Sequence, residues 1–157
     1  MPRTTPVRQV MTTDVLTFTP DVGVEEAARL LVGRGIGGAP VVDGAGRLVG
    51  LVEDDDLILQ EVRLHFPTTV SFLGALLQLP REQHQLEDDL RKAVGATVGD
   101  VMDRGAPTVG PDDTLETAAT RLHEGHASRL PVVDADGKVV GVLARGDVLR
   151  SIVETGT

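Results

Sequence analysis

The chain contains an internal repeat, since residues 10–57 align without a gap with residues 101–148, which begin 91 positions further along. Of the 48 aligned positions 17 are identical, including a Val-Met pair, a Pro-Val-Val-Asp segment and the two glycines and one aspartate that follow it. A repeated unit of this size is typical of copies that pack on each other and bury a shared apolar surface. We therefore expect a pseudo-twofold axis between the copies, and a ligand site at the seam where they meet.

The first copy has a clear predicted order of elements. An apolar segment at residues 15–18 precedes an amphipathic helix, and Gly35 marks the end of that helix. Two short apolar runs flank the turn at residues 43–46, which predicts a β-hairpin. A second helix is then expected to begin near Asp54.

The second copy predicts the same elements. Thr114 is placed to cap a helix over Leu115–Glu124, and a second hairpin turn follows at residues 134–137. The hairpin is antiparallel, whereas the first strand of each copy reaches the sheet through a helical crossover. The sequence therefore predicts an α/β fold of two β-α-β-β-α repeats related by a pseudo-twofold axis.

The two copies divide the chain into a first repeat at 1–57, an insert at 58–100 and a second repeat at 101–157. Apolar residues recur at helical spacing over 70–77 and again over 86–94, so the insert is predicted to be a helical hairpin. The apolar faces of these helices are expected to be buried, either against the core of the same subunit or against a partner chain.

Composition excludes several classes of function. The net charge of −9 argues against binding to duplex nucleic acid and to anionic membrane surfaces. The chain has no cysteine, no secretory signal and no apolar run long enough to span a membrane, so a cytoplasmic protein is expected. With three Phe and no Trp or Tyr, a ring-shaped ligand would lie mostly between aliphatic walls.

Taken together, the Val-Met starts, the Pro-Val-Val-Asp strands and the Gly-apolar-apolar stretches that lead to an aspartate resemble a tandem pair of CBS domains, or Bateman module. The resemblance covers residues 10–57 and 101–148. It implies a regulatory rather than a catalytic protein, which requires no cofactor and forms homodimers through its helices. It also implies an adenosine-containing ligand, such as AMP, ADP, ATP, S-adenosylmethionine or a cyclic dinucleotide.

In this family the nucleotide site resembles the pattern Gly-apolar-apolar-Thr/Ser-x-x-Asp. The pattern is chemically reasonable, because a helix N-terminus attracts phosphate, a hydroxyl can donate to it and a carboxylate can accept from ribose hydroxyls. The resemblance implies that Asp56 and Asp147 are the ribose acceptors of a first and a second cleft. Glu53 and Ala144 stand where the hydroxyl would be, so both clefts lack it.

The first cleft is predicted to be acidic. Glu53, Asp54 and Asp55 follow one another where a phosphate would lie, and a like-charge contact at about 4 Å costs roughly 4 kcal/mol near a protein surface. A phosphate is therefore disfavoured there unless Mg²⁺ bridges it, whereas a neutral or cationic ligand is not. Alternatively these acids only stabilise the helix N-terminus, by about 0.3–1 kcal/mol each.

The second cleft is predicted to be the better anion site. Arg145 and Arg129 would converge beside Asp147 and replace the missing hydroxyl by charge-assisted contacts, although each could instead be a solvated surface charge. The residues expected to surround the base are also candidates for plain core packing. They are Val15, Ile36 and Ala39 in the first copy, and Pro107, Ala127 and Leu130 in the second.

Two functional hypotheses follow. The first is a ligand sensor that binds an adenosine-type molecule and signals through its dimer or an unknown effector protein. The alternative is an interaction scaffold whose ligand sites are vestigial, which the loss of both hydroxyls favours. An enzyme is the weakest reading, because no P-loop and no Ser-His-Asp or Cys-His arrangement is evident. His123 and His126 lack nearby third and fourth ligands, so no metal site is predicted.

Overall fold

The computed structural model describes residues 3–65 and 96–155, apart from the side chains of 60–65 and 155. The predicted helices over 70–77 and 86–94 lie outside the described residues, so the helical insert stays a prediction. The described helices and strands follow one another as α1 (Val24–Arg34), β1 (Gly38–Val42), β2 (Leu48–Glu53), α2 (Asp54–His65), α3 (Val98–Val101), α4 (Leu115–Glu124), β3 (Arg129–Val133), β4 (Val139–Ala144) and α5 (Arg145–Thr155).

Both predicted hairpins are confirmed. β1 pairs with β2 and β3 pairs with β4, each antiparallel and each with an irregularity one residue before the turn. The aspartate of the Pro-Val-Val-Asp segment closes the turn in both copies. Asp43 Oδ1 accepts from the N–H groups of Ala45 and Arg47 at 2.9 and 3.0 Å, and Asp134 does the same two and four residues further on. This side-chain turn explains why that aspartate recurs.

The predicted first strand of each copy is reduced to a single parallel bridge, between Phe18 and Val41 and between Val109 and Val132. The Phe18 N–H donates to Pro40 O at 3.0 Å, and the Val42 N–H donates to Phe18 O at 2.8 Å. The next bond of a parallel ladder would need the N–H of Pro40, which proline lacks. The prolines of the repeated motif therefore end the pairing that the apolar pattern predicted.

Two of the described helices, α2 and α4, begin where the sequence indicates. α4 spans the predicted residues, and the Thr114 side chain accepts from the Thr117 N–H at 3.2 Å. α2 and α5 follow β2 and β4 directly. An aspartate in the first turn of each helix accepts from the N–H of the last strand residue, since Asp56 Oδ2 bonds Glu53 N at 2.9 Å and Asp147 Oδ2 bonds Ala144 N at 2.8 Å.

Each of the two apolar cores contains residues of both copies. The first core combines α1, β1 and β2 with Ala96, Val98 and Met102, which precede or begin the second copy. The second core combines α4, β3 and β4 with Val7, and Met11 packs against it. The start of each copy is therefore buried in the core of the other.

The same exchange continues in the backbone pairing. Thr12 pairs with Val142 of β4, and its equivalent Asp103 pairs with Leu51 of β2. The methionine of the Val-Met motif lies over a glycine of the opposite copy. A Cβ at Gly141 would lie 2.6 Å from Met11 Sδ, and a Cβ at Gly50 would lie equally close to Met102 Sδ. These matched contacts confirm the predicted pseudo-twofold arrangement of the two repeats.

Candidate ligand clefts

The two predicted ribose acceptors hold equivalent places and differ in their partners. Asp56 and Asp147 are each the third residue of their helix, and each uses Oδ2 to cap its N-terminus. Asp147 is only 5% exposed, and its Oδ1 accepts a hydrogen bond from the Arg150 guanidinium. Within the described part of the chain Asp56 Oδ1 has no hydrogen-bond or ion-pair partner, because Leu59 stands at the position of Arg150.

The acidic run at the start of α2 is a cluster of interacting charges. Burial raises the pKa of Glu53 above its ordinary value, the Arg129 guanidinium lowers it, and Asp56, Asp54 and Asp55 raise it further. Glu53 is half-buried, whereas Asp54 and Asp55 are exposed. The start of α2 is therefore acidic, and it has a cation from the other copy beside it.

That cation reaches the first copy from the start of β3. Arg129 Nη1 donates to Gly38 O at 3.3 Å. A Cβ at Gly37 would lie 2.9 Å from Nη2, and a Cβ at Gly38 would lie 3.1 Å from Nε, so the guanidinium fills space that any larger residue would occupy. Gly38 is the pseudo-symmetric equivalent of Arg129 itself. The Arg129 side chain therefore extends from its own copy to the equivalent position of the other copy. Its Nε is buried and has no hydrogen-bond partner among the described residues.

Arg145 has a different environment. It is exposed at the first position of α5, and its Nε donates to Ala127 O at 2.9 Å while its backbone N–H donates to Ser128 O at 3.2 Å. No hydrogen bond or ion pair joins Arg129 to Arg145 or Asp147 among residues 3–65 and 96–155. The convergence of both arginines on one anion stays a prediction.

The residues predicted to surround the base fall into two groups. Ala39, Ala127 and Leu130 are buried in the two cores. Their side chains are largely committed to packing, so the backbone of these residues is what a ligand would meet. The other three have accessible side chains. Val15 and Pro107 are half-buried and Ile36 is exposed.

Arg150 and the Gly37-Gly38 pair were missed by the sequence reasoning. The spacing of Arg150 and Asp147, three residues apart at the start of a helix, places both side chains on one face and could have indicated their pairing. The alignment also pairs Gly37-Gly38 with Ser128-Arg129. Because the two glycines have no side chains, they leave space on the first copy for the Arg129 side chain. Only the tertiary structure shows that Arg129 faces Gly37 and Gly38.

The acidic run does not form a recognisable metal site. Among the residues that the structure describes, no group of three or more His, Cys, Asp or Glu side chains is arranged to hold a metal ion. None of the described helices is long and apolar enough to cross a membrane.

Exposed apolar side chains mark the outer faces of the two helices that begin at the clefts. Ile58 on α2 is 60% exposed, and its pseudo-symmetric equivalent on α5, Leu149, is 61% exposed. Leu59, Ile152 and Val153 on the same helices are also exposed. The pseudo-twofold arrangement thus gives both helices an exposed apolar side chain at one equivalent position, Ile58 and Leu149, whereas Leu59 is matched by Arg150.

Comparison with known sequences adds independent evidence. The family model of the CBS domain matches the chain twice, at residues 7–62 and 98–154. The chloroplastic CBS domain-containing protein CBSX2 of Arabidopsis thaliana is 35% identical over 136 residues, which are 86% of this chain and 57% of that protein. The chain therefore spans little more than half the length of this relative.

Solved structures give the same result. The crystal structure of CBSX2 in complex with AMP superimposes with a TM-score of 0.76 at 32% identity, covering 97% of this chain and 98% of that one. The CBS domain pair of protein MJ0100, in complex with 5′-methylthioadenosine and S-adenosyl-L-methionine, gives a TM-score of 0.72 at 22% identity, covering 96% and 98% of the two chains. This second likeness shows the fold alone. The paired hairpins, the exchanged cores and the two family matches together show that the chain belongs to the CBS domain family, of which it contains a tandem pair.

Proposed function

We propose that this protein is a regulatory module that binds an adenosine-containing ligand at the clefts between its two CBS repeats. The observation that carries the proposal is the likeness, at 32% identity over 97% of the chain, to a protein crystallised with AMP. The described geometry agrees with it, because a carboxylate lies in the first turn of the helix that begins at each cleft. Asp56 and Asp147 would accept hydrogen bonds from the ribose hydroxyls.

We further propose that the preferred ligand carries a phosphate, which Arg129 would bind. In the part of the chain that the structure describes, its Nε is buried without a partner. A buried unpaired donor costs free energy, which a hydrogen bond to an anion would offset. A guanidinium also suits the planar, bidentate recognition of phosphate. Because Arg129 lies beside Glu53 and Asp54, its charge offsets the acidic run that would otherwise repel a phosphate at the first cleft.

The module is proposed to be non-catalytic and to act as a homodimer. The supporting observation is the matching apolar surface of α2 and α5, where Ile58 and Leu149 are each more than half exposed. Contact with a second copy would remove this apolar surface from water. A change in the clefts at the helix N-termini would then be passed along α2 and α5 to the partner or to an effector protein.

Thermal unfolding tests the ligand proposal. A ligand at 100 times its dissociation constant adds about 2.7 kcal/mol to the free energy of unfolding, which is roughly 5–10 °C for a domain of this size. We expect adenosine to raise the Tm, and AMP to raise it further through its phosphate. If adenosine, AMP, ADP, ATP and S-adenosylmethionine all leave the Tm unchanged, the alternative of a scaffold with vestigial sites is correct.

Arg129→Ala separates the phosphate contribution from the rest. The variant should lose the extra stabilisation that AMP gives over adenosine, while keeping that of adenosine itself. Arg104→Ala is the matched control, since it removes the same charge from an exposed residue near the start of the second copy. A variant that still prefers AMP to adenosine as strongly as the wild type would place the phosphate elsewhere.

A further inference from the structure

The two clefts of this protein are unequal in a way that rests on one side chain. Asp147 Oδ1 is held by Arg150, and Asp147 Oδ2 by the Ala144 N–H. Among the residues whose side chains the structure describes, Asp56 makes only the equivalent helix-capping bond, at 2.9 Å to Glu53 N. In the described part of the chain, a ligand that offers two ribose hydroxyls therefore meets one carboxylate with a hydrogen bond on each oxygen, Asp147, and one with a hydrogen bond on a single oxygen, Asp56.

From this difference we infer that Arg150 determines the affinity of the second cleft, and that the first cleft is the tighter of the two for the ribose of an adenosine-type ligand. The inference rests on the proposed function and adds a difference between its two sites. Each carboxylate oxygen can accept about two hydrogen bonds. Arg150 takes acceptor capacity at Asp147 that the ribose would need, so the ligand must displace the guanidinium or bind with fewer hydrogen bonds.

The residue that replaces Arg150 in the first copy supports this assignment. Leu59 holds the equivalent position on α2 and is exposed. Its apolar side chain cannot donate a hydrogen bond to Asp56. The environment of the pair also suits a displaceable contact. The Arg150 side chain is 68% exposed while that of Asp147 is 6% exposed, so the arginine can turn into solvent when a hydroxyl takes its place.

Titration calorimetry with adenosine is the test, because a neutral ligand keeps phosphate electrostatics out of the measurement. The wild type should show two classes of site, and Asp147→Asn should abolish or weaken the weaker class. Arg150→Leu, which copies the first repeat, should tighten the weaker class about tenfold, the size expected for release of one charged hydrogen bond. Leu59→Arg should weaken the tighter class by a similar factor.

Two controls separate this role from a general effect of charge. Arg150→Lys keeps a cation beside Asp147 and should leave both affinities close to those of the wild type. Arg29→Leu removes an exposed arginine of α1 and should change neither class. Circular dichroism melts establish that each variant is folded, and Arg150→Leu is expected to fold because leucine occurs at the equivalent position.

Salt gives a second readout on the unmutated protein. Because the Arg150 half of the ion pair is exposed, the pair weakens as ionic strength rises. The weaker class should therefore bind adenosine more tightly at high salt than at low salt, and this dependence should vanish in Arg150→Leu. Unchanged affinities in Arg150→Leu, or two equal sites in the wild type, would overturn the inference while leaving the proposed function in place. If neither the wild type nor Arg150→Leu binds adenosine or AMP, the proposed function is overturned as well.

Discussion

At the scale of single residues, the two copies differ most at the ends of β2 and β4. Glu53 and Ala144 occupy the same position of the repeat, yet only Glu53 is a half-buried charge among other carboxylates. Burial is the main reason that the pKa of Glu53 is raised, and the neighbouring Asp56, Asp54 and Asp55 add to it against the opposing effect of Arg129. The charged form of this glutamate therefore opposes folding.

The pH dependence of stability follows from this direction. A glutamate whose pKa is raised in the folded state binds its proton more tightly there than in the unfolded chain. Its favourable contribution is complete below the ordinary glutamate pKa and is lost as the pH rises through the folded value. Glu53→Gln should therefore be more stable than the wild type at pH 7, by less than about 1 kcal/mol because the group is partly exposed.

Urea melts between pH 4 and pH 7 measure this effect. The difference between Glu53→Gln and the wild type should shrink as the pH falls, whereas the control Glu26→Gln, on the exposed face of α1, should show little change. A Glu53→Gln variant that is less stable than the wild type at pH 7 would mean that the attraction of Arg129 outweighs burial.

At the scale of elements, the ends of the equivalent helices α1 and α4 use the same backbone geometry with different residues. The Ile36 N–H donates to Leu31 O at 3.1 Å, and the equivalent Ala127 N–H donates to Leu122 O at 3.0 Å. The residue before each donor has a positive φ, 65° at Gly35 and 48° at His126. Glycine adopts this left-handed conformation without a steric penalty, whereas histidine does not.

His126→Gly should therefore stabilise the protein. The left-handed conformation costs an L-residue about 1–2 kcal/mol, and the variant avoids this cost. The greater entropy of glycine in the unfolded chain opposes the gain by about 0.4–1 kcal/mol. We expect a net gain on the order of 0.5–1 kcal/mol in the free energy of unfolding, measured by chemical denaturation. The reverse change at the equivalent position, Gly35→His, should destabilise. A loss of stability in His126→Gly would show that its side chain makes a compensating interaction.

Elements were well predicted wherever neighbours along the chain decide them. The hairpin turns depend on Asp43 and Asp134, which bond the backbone two and four residues further on. The start of α4 depends on Thr114 three residues before its donor. The first strands were not predicted correctly, because the number of ladder bonds depends on the partner strand. There Pro40 and its equivalent Pro131 have no N–H to give.

At the scale of the whole molecule, the two repeats are joined by exchanged segments rather than by a flat contact. Thr12 exchanges hydrogen bonds of 2.9 Å with Val142, and Asp103 does so with Leu51 at 2.8 and 2.9 Å. The hairpin turns also bond to each other, since the Leu48 N–H donates to Gly137 O. Disruption of one crossing should therefore destabilise the cores of both copies together.

Gly141→Ala tests this interlocking. The new Cβ would lie 2.6 Å from Met11 Sδ and 3.0 Å from Thr12 O, and the second of these atoms is backbone that cannot move aside without breaking the crossing pair. Overpacking of this kind costs about 1–3 kcal/mol, which a urea melt would detect. The control is Gly44→Ala, whose Cβ would meet no atom within 4 Å. Equal stability of the two variants would contradict a tight crossing.

The sequence by itself determined the family, the repeat, the hairpins, the starts of α2 and α4, and the aspartate that recurs in the first turn of α2 and of α5. All of these depend on patterns within a few residues or on comparison of one copy with the other. Asp56 and Asp147 are identical in the two copies, and each caps the N-terminus of its helix by a hydrogen bond to a backbone N–H three residues earlier. Such features can be found without knowing which segments meet in space.

Only the tertiary structure decided which copy the Arg129 guanidinium contacts, and therefore where its positive charge lies. A long side chain such as Arg129 goes where space and acceptors exist, and the space over Gly37 and Gly38 belongs to the other copy. The sequence placed this arginine at the second cleft because it lies beside that cleft along the chain. Its contacts lie across the pseudo-twofold axis, because the packing of the two repeats fixes which backbone a side chain faces.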